Sequence, residues 1–183
     1  MTDNTHHTAT EPAGGGAHKT RRQNAEEGFT ASKQLTDSLQ LVLVDLVELH
    51  LQGKQAHWNV VGHNFRDLHL QLDEIVLAAR EFSDEVAERL RALHAAVDGR
   101  SDTVAATTSL PEFPNGEVAT SDTIDLITAR LDTVVARIRE VHDGVDAEDP
   151  TSSDLLHQII ARLEQLSWMV GAENRVATKT ASH

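Results

Sequence analysis

The sequence predicts an all-α chain: a bundle of four long helices with one long connection between the second and the third. Three observations carry this. From Thr30 onward, apolar residues recur at three- and four-residue spacing in four separate segments. Proline stands only outside those segments, at Pro12, Pro111, Pro114 and Pro150. Ser, Thr or Asp residues stand at the start of the third and fourth segments, where a helix needs a side-chain acceptor.

Residues 1–29 read as a flexible tail, because "TDNTHHTATEPAGGG" is small, polar and glycine-rich. The first helix begins near Thr30, sets Leu35, Leu39, Val42, Leu46 and Leu49 on one face, and ends near Val60 before Gly62. The same rhythm, continued through Gly53, brings His57 onto that face. The second helix covers Asn64 to about Ala96, with Gly99 closing it. Its buried stripe is Phe65, Leu68, Leu72, Ile75, Ala79, Phe82, Val86 and Leu90. Arg100 to Thr120 holds Pro111, Pro114 and Gly116 and forms the long connection, inside which "TVAATTSL" can make a short helix. Ser121 or Asp122 caps the third helix, whose stripe of Ile124, Ile127, Leu131, Val134, Ile138, Val141 and Val145 is nearly a heptad. Thr151 to Ser153 can cap the fourth, lined by Leu156, Ile159, Leu163, Leu166 and Val170. A bundle over 30–172 with a single long crossover, followed by a short polar tail at 173–183, is the ferritin-like class. Unequal helix lengths and the crossover argue against a plain coiled-coil assembly.

Composition narrows the functions. At 183 residues the chain is one domain, and 39% hydrophobic content suits a soluble protein. It has no apolar run of membrane-spanning length and no signal-peptide core, so the expected location is the cytoplasm, with nucleoid association as a variant of it. No cysteine is present, which excludes thiol catalysis and thiolate metal sites and is compatible with a reducing compartment. Acidic side chains number 29 against 16 basic, a net charge of −13 that repels nucleic acid and attracts cations. The short basic cluster Lys19, Arg21 and Arg22 could offer a DNA contact. Asp3, Glu11, Glu26 and Glu27 leave the tail slightly negative, so DNA binding is not indicated.

The stretch "HWNVVGHNFRDLHLQLD", His57 to Asp73, holds three of the eleven histidines and one of the two tryptophans. On the second helix His69, Asp73, Asp84 and Glu88 fall within a stripe roughly 100° wide beside the apolar one. Ionisable groups at the edge of a buried face need a partner, and imidazole with carboxylate suits iron and related divalent ions. Along an α-helix, however, His69 and Glu88 lie about 28 Å apart, and Asp73 and Asp84 about 16 Å. One helix cannot bring all four to one ion. The midpoint of 69 and 88 is also the midpoint of 73 and 84. Two such helices crossing antiparallel about a two-fold axis near Ala78 and Ala79 would set His69 against Glu88 of a second copy and Asp73 against its Asp84. His57 would add a nitrogen ligand. The expectation is two identical metal sites per dimer. Ordinary surface ion pairing explains Asp84 and Glu88 taken alone, since "DEVAERLR" has Glu-to-Arg spacing.

These residues resemble the two signature motifs of the Dps family, the mini-ferritins known as DNA-binding proteins from starved cells. The first motif stands here as His57, Trp58, Gly62, Leu68-His69 and Asp73, the second as Asp84, Glu88 and Arg89. The resemblance covers about Thr30 to Gly171. It implies a hollow homododecamer that oxidises Fe(II), with hydrogen peroxide or dioxygen as oxidant, and stores ferric mineral as part of an oxidative-stress response. It implies a ferroxidase site with His57, His69 and Asp73 from one chain and Asp84 and Glu88 from the other. Trp58 would lie beside it, either to intercept a radical or simply to pack. Leu70 stands where many relatives carry Glu, which weakens a second iron position, and His63 is not expected to be a ligand. The acidic stretch "HDGVDAEDPTSSD" lies where the family lines its three-fold pores. Asp154 fits that role best, with Asp146 and Asp149 behind it, and helix capping by Asp154 competes with it. The alternative function is a DNA-compacting shell with a vestigial metal site.

Overall fold

A computed structural model describes residues 29–177. The rest of the expected N-terminal tail, with its basic cluster, and positions 178–183 lie outside the described residues. Five α-helices follow in order: α1 (Lys33–Asn59), α2 (Phe65–Ala92), α3 (Ser101–Thr107), α4 (Thr120–Glu148) and α5 (Pro150–Gly171). A 3-10 turn at Ala172–Asn174 and two short strands, β1 (Val60–Val61) and β2 (Val118–Ala119), complete the described elements.

The expected apolar stripes close on one another. Leu39, Leu46 and Leu49 of α1, Leu72 and Ile75 of α2, Ile127 and Leu131 of α4 and Ile159 and Leu163 of α5 are all fully buried. Burying one such side chain stabilises the fold by about 1.5–3 kcal/mol. α1 packs chiefly on α2 and α4 on α5, and the two pairs meet through α1–α4 and α2–α5. Val60 of β1 pairs in parallel with Val118 of β2, which sets the end of α1 beside the start of α4. At the opposite end Ser32 caps α1 by accepting from the Leu35 N–H at 3.1 Å. Its own N–H and hydroxyl both donate to Glu148, each at 2.6 Å, so the start of α1 meets the end of α4. α1 and α4 are therefore antiparallel, and the crossover runs the length of the bundle.

Polar side chains on the buried face of α1 hold that crossover down. Gln40 bonds the Asp98 backbone in both directions, at 2.7 and 3.1 Å. Asp45, 1% exposed, accepts from the Ser109 N–H at 2.7 Å, the Ser109 hydroxyl at 2.6 Å and the Thr108 hydroxyl at 3.0 Å. Buried Gln52 and Arg130 bond each other, and both donate to the Pro111 carbonyl. Arg130 also donates to the Glu112 carbonyl and stacks over Phe113, its guanidinium 5.0 Å from the ring centre.

Helix limits differ from the sequence expectation at three ends. α2 stops at Ala92 rather than about Ala96, because His94 adopts φ +63°. The Ala95 N–H then bonds the Leu90 carbonyl at 3.0 Å and the His94 N–H bonds Arg91 at 3.1 Å, the αL termination usually given to glycine. Gly99 has no part in it. α4 begins at Thr120 with Ala119 at the cap, ahead of Ser121 and Asp122. α5 begins at Pro150 with Asp149 at the cap, so neither Thr151–Ser153 nor Asp154 caps it. Since a side chain at φ +63° costs about 1 kcal/mol relative to glycine, His94→Gly is expected to stabilise the chain by about 0.5–1 kcal/mol. A denaturation midpoint at unchanged slope checks this, and a lowered midpoint contradicts it.

No helix among the described residues is long and apolar enough to cross a membrane.

Candidate metal centre

Because α1 and α2 are antiparallel neighbours, the last turn of α1 faces the first turns of α2. Gly53 makes the approach close: a Cβ there would stand 2.8 Å from Val76 Cγ2. One turn further on, His57 meets His69. Their rings stack at 3.6 Å between centres and 25° between planes. Each ring also bonds the other residue's backbone. His57 Nδ1 lies 3.1 Å from the His69 carbonyl, and His69 Nδ1 lies 3.0 Å from the His57 carbonyl. A carbonyl only accepts, so each Nδ1 carries a hydrogen, and the neutral form of each ring has its lone pair on Nε2, the arrangement a metal-ligating histidine needs.

Asp73 joins them from the next turn of α2, with Oδ1 3.3 Å from His57 Nδ1. The same oxygen accepts from Lys54 Nζ at 2.6 Å. That hydrogen bond is the main reason the carboxyl is held below its ordinary range; burial opposes it, and the nearby charges of His57, Lys54 and His69 add to it. Asp73 is thus an ionised carboxylate at neutral pH, already paired with an ammonium. Sequence reasoning missed Lys54. Its signal was the three-residue spacing to His57, which puts both on one helix face.

The structure brings His57, His69 and Asp73 together and leaves Asp84 and Glu88 apart. Both of the latter are exposed, lie further along the unbroken α2, and make no ion pair or side-chain hydrogen bond among the described residues. Asp84 lines a shallow cavity of about 540 Å³ with Leu43, Val47, Leu77, Arg80 and Ser83. Among the described residues no three His, Cys, Asp or Glu side chains are grouped so as to hold a metal ion. Within the single chain His57, His69 and Asp73 are neighbours without forming such a group.

Other expected residues fall as follows. Trp58 is 71% exposed, so most of its ring is left uncovered by the described residues. Leu70 is 49% exposed, and His63 is exposed in the turn before α2. Ala78 and Ala79 are buried at 6% and 0%, so their side chains do not themselves form the outward surface at that level of the helix. Leu77, 56% exposed, is the outward apolar side chain at that level. Asp146 and Asp154 are exposed, whereas Asp149 is buried and used internally. Its carboxylate accepts from Arg89 at 2.6 Å and from the Ser152 hydroxyl at 2.5 Å, so Arg89 of the second motif pins α2 to the start of α5.

Burial alone would raise the Asp149 carboxyl, but the hydrogen bonds from Arg89 and Ser152 outweigh it and hold it below the ordinary range. A carboxylate depressed in the folded chain adds stability above its unfolded value of about 3.9, and loses it as pH falls through the depressed value. Arg89→Met is therefore expected to flatten the loss of stability between about pH 5 and pH 2 relative to the native chain. Urea midpoints across that range check it, and parallel curves for the two proteins contradict it.

The ferritin-like domain family model matches residues 36–176. The chain is similar to DNA protection during starvation protein 2 of Deinococcus radiodurans, with 36% identity over 76% of this chain and 58% of that protein. The chain thus spans less than two thirds of that relative's length. It is also similar to the fine tangled pili major subunit of Haemophilus ducreyi, with 38% identity over 75% of this chain and 73% of that protein. Among solved structures, Dps from Microbacterium arborescens in its high iron form matches with a TM-score of 0.73 at 33% identity, covering 80% of this chain and 98% of that one.

Proposed function

The chain belongs to the Dps family of ferritin-like proteins, and on that premise we propose that it oxidises Fe(II) at a site completed by a second copy of itself. The observation that carries this is the pairing on α1 and α2. Two imidazoles with Nδ1 satisfied by backbone stand beside an ionised carboxylate, while the remaining two carboxylates of the motif sit exposed on the same helix with no ion pair among the described residues. Antiparallel juxtaposition of two α2 helices brings Asp84 and Glu88 of the second copy to His57, His69 and Asp73. The exposed Leu70 and Leu77, seven residues apart on the outward face, supply apolar surface for that contact.

The donor set suits the substrate. Carboxylates take hard iron, neutral imidazole fills positions beside them, and water leaves others open for the oxidant. Fe(II) has to displace the Lys54 ammonium from Asp73, since both compete for the same oxygen. With peroxide, two Fe(II) each give one electron, the O–O bond breaks, and two protons complete two waters. No odd electron is left to make hydroxyl radical. Trp58, exposed one residue from His57, is placed to intercept one that forms.

Following the family, we assign twelve such chains to a cytoplasmic shell that stores the ferric product, with Asp146 and Asp154 as the exposed carboxylates available to draw Fe(II) inward. Protection of DNA then follows from removing Fe(II) and peroxide together, which does not require a chain of net charge −13 to bind DNA.

The test adds Fe(II) without oxygen, then peroxide, and follows ferric absorbance. The expected result is oxidation faster than in protein-free buffer, with about two Fe(II) consumed per peroxide and no hydroxyl radical trapped. A rate equal to that in buffer overturns the proposal.

A further inference from the structure

At the end of the bundle away from His57, where α4 meets α5, two more histidines face each other. His142 of α4 and His157 of α5 place Nε2 against Nε2 at 2.7 Å, with ring centres 4.6 Å apart and planes at 37°. The far side of each ring has a carboxylate. His142 Nδ1 lies 3.1 Å from Asp143 Oδ1, and His157 Nδ1 lies 4.0 Å from Asp154 Oδ1. A carboxylate accepts, so the contact to Asp143 puts the His142 hydrogen on Nδ1 and leaves Nε2 with a bare lone pair. Asp154, at 4.0 Å, is beyond hydrogen-bond distance of His157 Nδ1 and favours a hydrogen there only through its charge. A hydrogen on either Nε2 makes this contact a His–His hydrogen bond; with both hydrogens on Nδ1, two lone pairs converge on the same space, where a cation can take that hydrogen's place. The Ser153 hydroxyl, 3.2 Å from His142 Nε2, can donate to one ring only and does not satisfy the other.

The geometry points to a binding site for a divalent first-row transition-metal cation of the Zn²⁺ class, held by His142 Nε2 and His157 Nε2. Carboxylate behind imidazole behind metal is the usual support for such a ligand; Asp143 supplies it to His142 at hydrogen-bond distance, and Asp154 stands 4.0 Å behind His157. Metal–nitrogen distances of about 2.0–2.1 Å need the two nitrogens roughly 2.9–3.4 Å apart, so the pair has to open by less than about 1 Å. His157 has 57% of its side chain exposed and is free to make that movement. Two imidazoles without a third protein ligand leave the remaining positions to water, so the ion is exchangeable. Nitrogen donors favour Zn²⁺, Ni²⁺, Co²⁺ or Cu²⁺ over Mg²⁺ and Ca²⁺. The site shares no ligand with the Fe(II) site proposed above and stands or falls without it.

The full native chain is treated with diethyl pyrocarbonate with and without Zn²⁺, and carbethoxylation of each histidine is mapped by mass spectrometry. Saturating Zn²⁺ is expected to slow modification of both His142 and His157 by about tenfold, while Mg²⁺ does not. In His157→Gln, a substitution at a half-exposed surface position, Zn²⁺ protection of His142 is expected to disappear. Absence of Zn²⁺ protection at the two residues in the native chain overturns the site. Protection of His142 that persists unchanged in His157→Gln overturns it as well.

Discussion

Asp84→Ala combined with Glu88→Ala is expected to slow peroxide-driven Fe(II) oxidation by on the order of 100-fold or more while leaving the fold untouched. The contrast follows from where the two carboxylates stand. Within one chain both are exposed and neither holds an ion pair or a side-chain hydrogen bond among the described residues, so their loss should change stability by no more than about 0.5 kcal/mol. If they were ordinary surface charges the oxidation rate would not change either. A large kinetic effect at sites some 16 Å or more along α2 from Asp73 has a simple explanation only when a second chain carries them to the metal. Stopped-flow ferric absorbance, with denaturant midpoints on the same proteins, separates the two outcomes. Equal rates in the native and doubly substituted chains contradict the site assignment.

Asp45→Ala is expected to lower unfolding free energy by about 3–5 kcal/mol. Removing this buried carboxylate leaves the Ser109 N–H, the Ser109 hydroxyl and the Thr108 hydroxyl without their acceptor, and takes away the carboxylate 3.7 Å from Arg137 Nε. The crossover would then lose its central polar attachment to α1, leaving the Gln40 and Gln52 hydrogen bonds on either side of it. Urea unfolding at one fixed protein concentration measures the effect, since an assembled chain has concentration-dependent stability. A loss below about 1 kcal/mol contradicts it.

Helical periodicity made the four long helices legible, because Leu39, Leu46, Ile127 and Ile159 sit where a 3.6-residue repeat needs them. The same repeat over-extends at ends. Phe65 is 43% exposed, since as the first residue of α2 it has no preceding turn to cover it. The stop at His94 carries no local signal, because a histidine in the left-handed region is chosen by the surrounding packing. Two-residue strands such as β1 and β2 are too short to show a period. Asp45 and Gln52 could have been found: both fall on the apolar face of α1, and a polar residue there asks for a partner. At the site, spacing alone exposed the incompleteness of a single chain, because it depends only on the rise of a helix. What spacing did not disclose was orientation. Ala78 and Ala79 turned out to face the core, and Asp73 was found to be held by Lys54.

Co-assembly measures the shared site most directly. One chain carries His57→Ala, His69→Ala and Asp73→Ala, the other Asp84→Ala and Glu88→Ala, and each alone is expected to be inactive. Unfolded, mixed in equal amounts and refolded, random pairing makes about half the dimers hybrid, and each hybrid restores one of its two sites. The expected activity is therefore about one quarter of the native rate per chain. No recovery in properly reassembled mixtures would contradict a metal centre built from two chains.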